Sequence, residues 1–373
     1  MAKAVYVGVG SKARKMKKAY IGIGGKARKV KKMYIGVGGK ARLCYSAELE
    51  KVGMAAALST TRYDMRAATV GKYALFAGGY ISKSSFGYSV SSSVDAYNTS
   101  LTKSTPTELS CKRCGHAAAS VGGYALFAGG ASSYNFLGYG NILSSVDAYD
   151  ASLTRSAAHI IGATVAIGGA AVGNYALFAG GTVYSQINKD NVTSDVLAYD
   201  PSLTFTTAPL LSVARANVKG ASAGNYALFA GGRADGFCTT VDAYNASLTR
   251  TTATALSSTK NNSAAATVGN HAIFVGNTAS ADIYDASLTK TSAAILSTAR
   301  TGLAATTVGD YAIFSGGGVA DFCDASLTRS SIGTSMTGYD MGAATIGDYA
   351  LFAGGYSDEK SVTTYDSVEV YTA

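Results

Sequence analysis

The chain has 373 residues, with 44 Gly against 3 Pro, 25 Tyr, 12 Phe and no Trp, and only 15% of its residues are charged. That is enough chain for a large core, and low charge with abundant Gly and Tyr argues against long amphipathic helices and for many short strands joined by tight turns. Apolar runs such as Ala74 to Ala77 are too short to cross a bilayer, and no apolar stretch of useful length follows the basic N-terminus. The expectation is a protein made in a cytoplasm without a signal peptide and without a membrane partner.

The net charge of +9 is unevenly placed. Residues 1–45 carry ten Lys and three Arg with no acid, which leaves 19 cations against all 23 acids in the rest. A basic arm therefore precedes a slightly acidic body, and the boundary falls close to Tyr45.

The arm is a fourteen-residue sentence written three times. Tyr6, Tyr20 and Tyr34 are spaced by 14, as are Arg14, Arg28 and Arg42, and these six are the candidate anchoring residues. Each copy runs from a β-rich stretch such as Tyr20 to Ile23, through a glycine turn at Gly24 and Gly25, into a cationic stretch, which reads as two short strands. Thirteen cations without an acid could neutralise phosphates. The regular Tyr-x-Gly-x-Gly pattern argues for docking on a partner and against nucleic acid.

From Tyr45 onward one unit recurs seven times. It is anchored on Gly78-Gly79, Gly129-Gly130, Gly180-Gly181, Gly231-Gly232, Gly276-Asn277, Gly316-Gly317 and Gly354-Gly355. A period of about 40 to 50 residues with strand chemistry predicts an all-β array, a seven-bladed β-propeller. In the fourth unit the strands are expected at Ala221 to Ala223, Tyr226 to Ala230, Val241 to Tyr244 and from Leu248 onward. The last unit ends one strand short, and Ser46 to Thr60 reads like the outer strand the other copies possess. Residues 46–57 are therefore expected to complete the last blade, giving a body of 46–373 with no open sheet edge.

Two resemblances follow from these strings. The apolar strand Ala312-Ile313-Phe314 before Gly316-Gly317, with Arg300 and the strand end Asp321-Phe322-Cys323-Asp324, resembles the kelch repeat, and Leu-Thr, as at Leu153-Thr154, stands where that family has a Trp. The tandem copies in the arm resemble the N-terminal segments of proteins from tail and virion modules of phages and prophages of Gram-positive bacteria. Together they imply a kelch-like propeller fixed by residues 1–45 to other virion proteins, in a head, tail or fibre.

Variation concentrates in the loops between second and third strands, which are long in blades 7, 1, 2 and 3. Tyr80, Phe86, Tyr88, Tyr134, Phe136, Tyr139 and Tyr184, with Tyr356 and Tyr365, lie there among Ser, Asn and Gly. Rigid aromatics among small polar groups are the contact chemistry of adaptable recognition surfaces, so these are candidate ligand-binding residues for a host-surface glycan or protein. A cation recurs in the turn between blades, Arg62, Arg113, Arg215, Lys260 and Arg300, with Gly162 and Gly338 in the remaining copies. Facing a central channel, these arginines would attract an anion; buried, they would bond neighbouring backbone.

Catalytic chemistry is sparse. Cys111, Cys114 and His116 have zinc-like spacing without a second pair, and His159 and His271 fall in other units. Five scattered cysteines do not make a disulfide framework. The reading is a non-enzymatic virion adhesin with no cofactor and no metal, its oligomeric state open, homo-oligomer included. The alternative is an intracellular kelch-type interaction module whose arm binds nucleic acid or an acidic protein.

Overall fold

The computed structural model describes the chain apart from residues 1–5, 10–11, 16–18, 24–25, 31, 38–39, 47, 85–86, 136–137, 159–161, 163, 184–190, 261–263 and 358–362. The described residues are all-β: they form no α-helix, and so no helix long and apolar enough to cross a membrane. In the arm, Tyr6–Val9 pairs with Lys12–Lys15, Tyr20–Ile23 with Lys26–Lys29, and Lys32–Val37 with Lys40–Ser46, each antiparallel and each a separate two-stranded sheet.

In the body the repeat folds as seven four-stranded antiparallel sheets, here units 1 to 7. The first strands are Arg66–Val70, Ala117–Val121, Gly168–Val172, Lys219–Ala223, Ala264–Val268, Ala304–Val308 and Gly342–Ile346. Each pairs with an apolar second strand, such as Tyr73–Ala77 in unit 1, which pairs with a third, such as Val94–Asn98, and that with a fourth. The fourth strand of unit 7 comes from before unit 1: Glu50–Met54 pairs with Val368–Thr372. Its register shifts at Val52, the Ala55 and Leu58 amides continue the bonding to Val368 and Asp366, and Ser46 belongs instead to the last hairpin of the arm.

The sequence Tyr-Ala-Leu-Phe-Ala dictates where the core sits. Ala74, Leu75, Phe76 and Ala77 are all fully buried, although successive side chains point to opposite faces of a strand. Both faces of each sheet are therefore covered, and the cover is the next sheet. Seven hydrophobic clusters each combine two successive units, and one of them joins unit 7 to unit 1 through Leu351, Val368 and Val370 against Met65, Phe76 and Tyr97. Within units, Phe76 meets Tyr97 edge-on at 5.9 Å, and Phe127–Tyr149, Phe229–Tyr244 and Phe352–Tyr371 repeat the contact. The Tyr97, Tyr149, Tyr244 and Tyr284 hydroxyls donate to carbonyls of the segment that crosses from the preceding unit.

Two contacts between neighbouring units explain small residues in the repeat. The turn glycine after each first strand has left-handed backbone and lies against the turn of the following unit. A Cβ on Gly122 would meet Pro201 Cβ at 2.6 Å, one on Gly224 would meet Ala286 Cβ at 2.5 Å, and Gly347 of unit 7 faces Thr99 of unit 1 in the same way. First-strand hydroxyls also reach back to the preceding unit: Ser120 donates to the Thr69 carbonyl at 2.7 Å, Ser222 to Ala171 at 2.8 Å, Thr267 to Ser222 at 3.0 Å, and Thr69 of unit 1 to Thr345 of unit 7 at 2.8 Å. Thr307 and Thr345 continue the pattern, and Ala171 in unit 3 has no hydroxyl to give.

The fourth strand of unit 4 begins at Arg250 rather than Leu248. Leu101, Leu153, Leu203, Leu248, Leu288 and Leu327 all sit at φ near 60° in the turn after the third strand. Left-handed backbone costs an ordinary residue about 1–2 kcal/mol. The Asn245 side chain offsets it by accepting from the Ser247 and Thr249 amides, both at 3.0 Å, and the bent chain drops Leu248 onto the core between units 3 and 4.

Deleting residues 50–54 removes the fourth strand of unit 7 and leaves the third strand as an open edge. Loss of the cooperative thermal transition is expected, and a deletion variant melting at the wild-type temperature would show that the pairing contributes nothing.

Candidate functional site

The long loops of units 1 and 2 do not remain loops. Tyr80–Ser84 pairs with Gly87–Val90 and Ala131–Asn135 with Gly138–Ile142, and the two hairpins join through Tyr88 opposite Tyr134 into an eighth four-stranded sheet. Its tyrosines touch in a continuous run: Tyr80–Tyr88 at 5.2 Å, Tyr88–Tyr134 at 5.2 Å and Tyr134–Tyr139 at 4.8 Å between ring centres. Tyr63 connects this run to unit 7, packing on Tyr80 at 5.2 Å and on Tyr356 at 4.8 Å. Offset and tilted arrangements at these distances are the favourable ones for aromatic pairs.

Burial divides the group. Tyr63 and Tyr80 are buried, whereas Tyr88, Tyr134 and Tyr139 are half-buried and keep one side towards solvent. Of the sequence candidates, Tyr80 is thus the floor of the cluster, and three others form its accessible surface. Phe86, Phe136 and Tyr184 lie outside the described residues. Desolvation raises the phenol pKa of Tyr63, Tyr80 and Tyr139, with Tyr88, Tyr139 and Asp64 adding to it respectively, so all three remain neutral hydroxyls. The surface offers aromatic faces and hydroxyl donors, suited to holding a sugar or peptide by stacking and hydrogen bonding.

The recurrent arginines are placed differently from a channel-facing set. Arg62, Arg113 and Arg215 are fully buried, each turned onto the third strand of its own unit. Arg113 meets Asp147 at 2.6 Å and the Gly129 and Ser145 carbonyls at 3.0 and 2.9 Å, and Arg215 meets Asp242 at 2.9 Å and the Gly231 and Phe229 carbonyls at 2.8 and 3.0 Å. Arg62 pairs with Asp95, Lys260 with Asp282 at 3.5 Å, and Arg300 with Asp321. The same carboxylate takes a second cation from the fourth strand, as Asp147 does from Arg155 at 2.9 Å, and a serine from the crossing segment, as Asp147 does from Ser110. A buried guanidinium must be paired and hydrogen-bonded, and here the acid and carbonyls do it, which leaves Arg62, Arg113 and Arg215 no exposed group for a ligand.

Units 3 and 7 show the rule by departing from it. The arginine position of unit 3 falls on Thr164, not on Gly162 as the sequence spacing suggested, because the Thr164 carbonyl accepts from Gly130 as the Arg113 and Arg215 carbonyls do from Gly79 and Gly181. Leu197 replaces the acid and Phe205 the second cation, so no member of the ionic set is charged there. In unit 7, with Gly338 for the arginine, the acid is Glu369, paired with Lys51 of the fourth strand and bonded by Ser335, Thr334 and Tyr371. Burial alone would raise the Glu369 pKa, but these donors overcome it and hold it at about 2.

The spacing of Cys111, Cys114 and His116 does not make a metal site. Cys111 is exposed, Cys114 is buried with Sγ on the Ala131 carbonyl at 3.3 Å, and the described residues hold no cluster of three His, Cys, Asp or Glu that could bind a metal. His116 stands where five of the other six units have an apolar residue, Met65, Ile167, Val218, Leu303 and Met341, and unit 5 has Ser263. It is fully buried, neither ring nitrogen closes a hydrogen bond, and desolvation, then Arg113 and Arg66, push its pKa well below 6.5 despite the nearby Ala77 carbonyl.

No protein-family model matches the chain, and no curated protein is similar to it in sequence.

Two outcomes are expected. Arg113→Thr alone leaves the buried Asp147 without its buried partner and costs about 3–5 kcal/mol, whereas the triple change Arg113→Thr, Asp147→Leu and Arg155→Phe, which imports the unit 3 set, recovers most of it. Urea unfolding of both variants is the measurement, and equal losses would show that the three positions do not act together. For His116, the unfolded chain takes up a proton below pH 6.5 that the folded one refuses. His116→Leu should therefore gain stability over wild type by up to about 1.4 kcal/mol per pH unit below that point. Denaturant midpoints at pH 5 and pH 8 check this, and a gain independent of pH contradicts it.

Proposed function

We propose that the body is a seven-bladed β-propeller of kelch type, and that the chain is a non-enzymatic recognition component of a phage particle. In this reading residues 1–45 fix it to other virion proteins, and the face carrying the tyrosine sheet engages a host-surface glycan or protein. The propeller is supported by the contacts from unit 7 to unit 1, which repeat those between other neighbours: the turn glycine against the next turn, the hydroxyl to the preceding carbonyl and a shared hydrophobic cluster. The phage setting is supported by the resemblance of the arm.

The observation that carries the recognition role is the sheet built from the loops of units 1 and 2. Unit 5 goes from its second to its third strand through Gly276 to Ala279 alone, so the repeat does not need such hairpins. A tyrosine surface with half-buried rings is well made for contact, and its inner side is held by packing on the buried cluster of Tyr63, Tyr80, Cys114 and Val165. Basic hairpins at the other end of the chain suit an acidic protein surface, because a lone two-stranded hairpin is marginal in water and gains stability by docking.

Tyr88→Ala with Tyr139→Ala is expected to weaken adsorption to host cells or isolated wall glycan by about 2 kcal/mol or more while the melting temperature barely moves. In the same assay, removal of residues 1–44 should abolish incorporation into particles and leave a folded body. If the double variant adsorbs normally, or fails only because it unfolds, the tyrosine sheet is framework. If the truncated chain still assembles, the arm is not the anchor.

A further inference from the structure

Where the first strands of all seven units meet, they line a cavity of about 210 Å³, against the roughly 10–15 Å³ that one water needs. Its wall combines Ala and Gly of the first strands with apolar residues just before them, such as Met65, Val218 and Leu303. The first position of the first strand is Ala117, Gly168, Ala264, Ala304 and Gly342 in five units, so the fold asks for nothing larger there. In the other two it is Arg66 and Lys219.

Arg66 is accounted for, since its guanidinium donates to the Asp64 carboxylate at 2.7 Å. Lys219 is not. Among the described residues no carboxylate comes within ion-pair distance of its ammonium and no group accepts a hydrogen bond from it. Burial and then Arg66 lower its pKa, with Asp64 and Asp340 opposing at longer range. A half-buried ammonium without a partner is costly, and alanine or glycine at this position would avoid the cost. Asn217, two residues earlier on the approach to the same strand, is exposed and also lines the cavity.

We propose that this cavity binds a small oxyanion, a phosphate, sulfate or carboxylate group, with Lys219 as its ion-pair partner, Asn217 as a hydrogen-bond donor and Arg66 facing it. Asp64 is neutralised by Arg66. The cavity admits a free ion or the terminal acid group of a larger ligand, and the chemistry at Lys219 is the same for both. None of its residues belongs to the tyrosine sheet or the arm, so the inference stands apart from the attachment reading.

The test is calorimetric titration of the full chain with inorganic phosphate and with glucose 1-phosphate, at ionic strength held constant with chloride. The basic arm contributes equally to wild type and variants, so the comparison reads the cavity alone. Lys219→Met should weaken binding about tenfold or more, Lys219→Arg should restore it, and both should keep the wild-type circular dichroism, as Ala and Gly at the equivalent positions imply. Phosphate bound alone marks a free ion, and both ligands bound mark a terminal group; either outcome supports the site. Equal affinity in Lys219→Met and wild type, or no saturable binding in any form, overturns it.

Discussion

A sheet whose middle strand is apolar on both faces cannot face water on either side, and this is the constraint from which the body follows. Tyr-Ala-Leu-Phe-Ala gives each unit two apolar faces, and only sheets of the same kind on both sides cover them. The need for close stacking then selects the small residues. A turn glycine has no Cβ to strike the next turn, and Ala and Gly in the first strands let seven sheets converge. Hydroxyls at every position but Ala171 tie each first strand to its predecessor.

The buried acid of the third strand is the second organising element. It collects the crossing segment, the recurrent cation and the fourth strand at one point, so it fixes how each unit follows the last as well as how its own strands stack. Buried ion pairs seldom add much stability over apolar substitutes, and unit 3 shows the protein using such a substitute. What the ionic set adds is interdependence: removing one member leaves another without a partner in a dry interior.

Much of the framework was legible because its causes are local. Glycine pairs, turn glycines and the apolar second strands each appear in the sequence with their physical reason attached. What was not legible depends on pairing across the repeat. That the hairpins of units 1 and 2 join through Tyr88 and Tyr134 follows from the nearness of two loops, not from any pattern within either. The arginines read as a recurring cation, and their acids as part of a strand ending. The joint loss of Arg, Asp and Arg in unit 3, as Thr164, Leu197 and Phe205, was the available signal that they belong together. The leucines at positive φ were hidden for another reason, since an apolar residue in left-handed backbone contradicts local preference and is tolerated only for the packing it gains.

The strand order of unit 7 also decides how the body responds to force. Any pull on the arm enters at Glu50, whose strand is zipped along Val368–Thr372, and the bonds continue beyond it: Ala55 donates to the Val368 carbonyl, Leu58 to Asp366 and Arg62 to Tyr365. Tension along that strand loads many hydrogen bonds at once, together with the Lys51–Glu369 pair, instead of peeling them one at a time. The unit at which the two ends of the body come together is thus its mechanical clamp, and a tether placed there transmits shear into the repeat array without opening the faces that carry the cavity and the tyrosines.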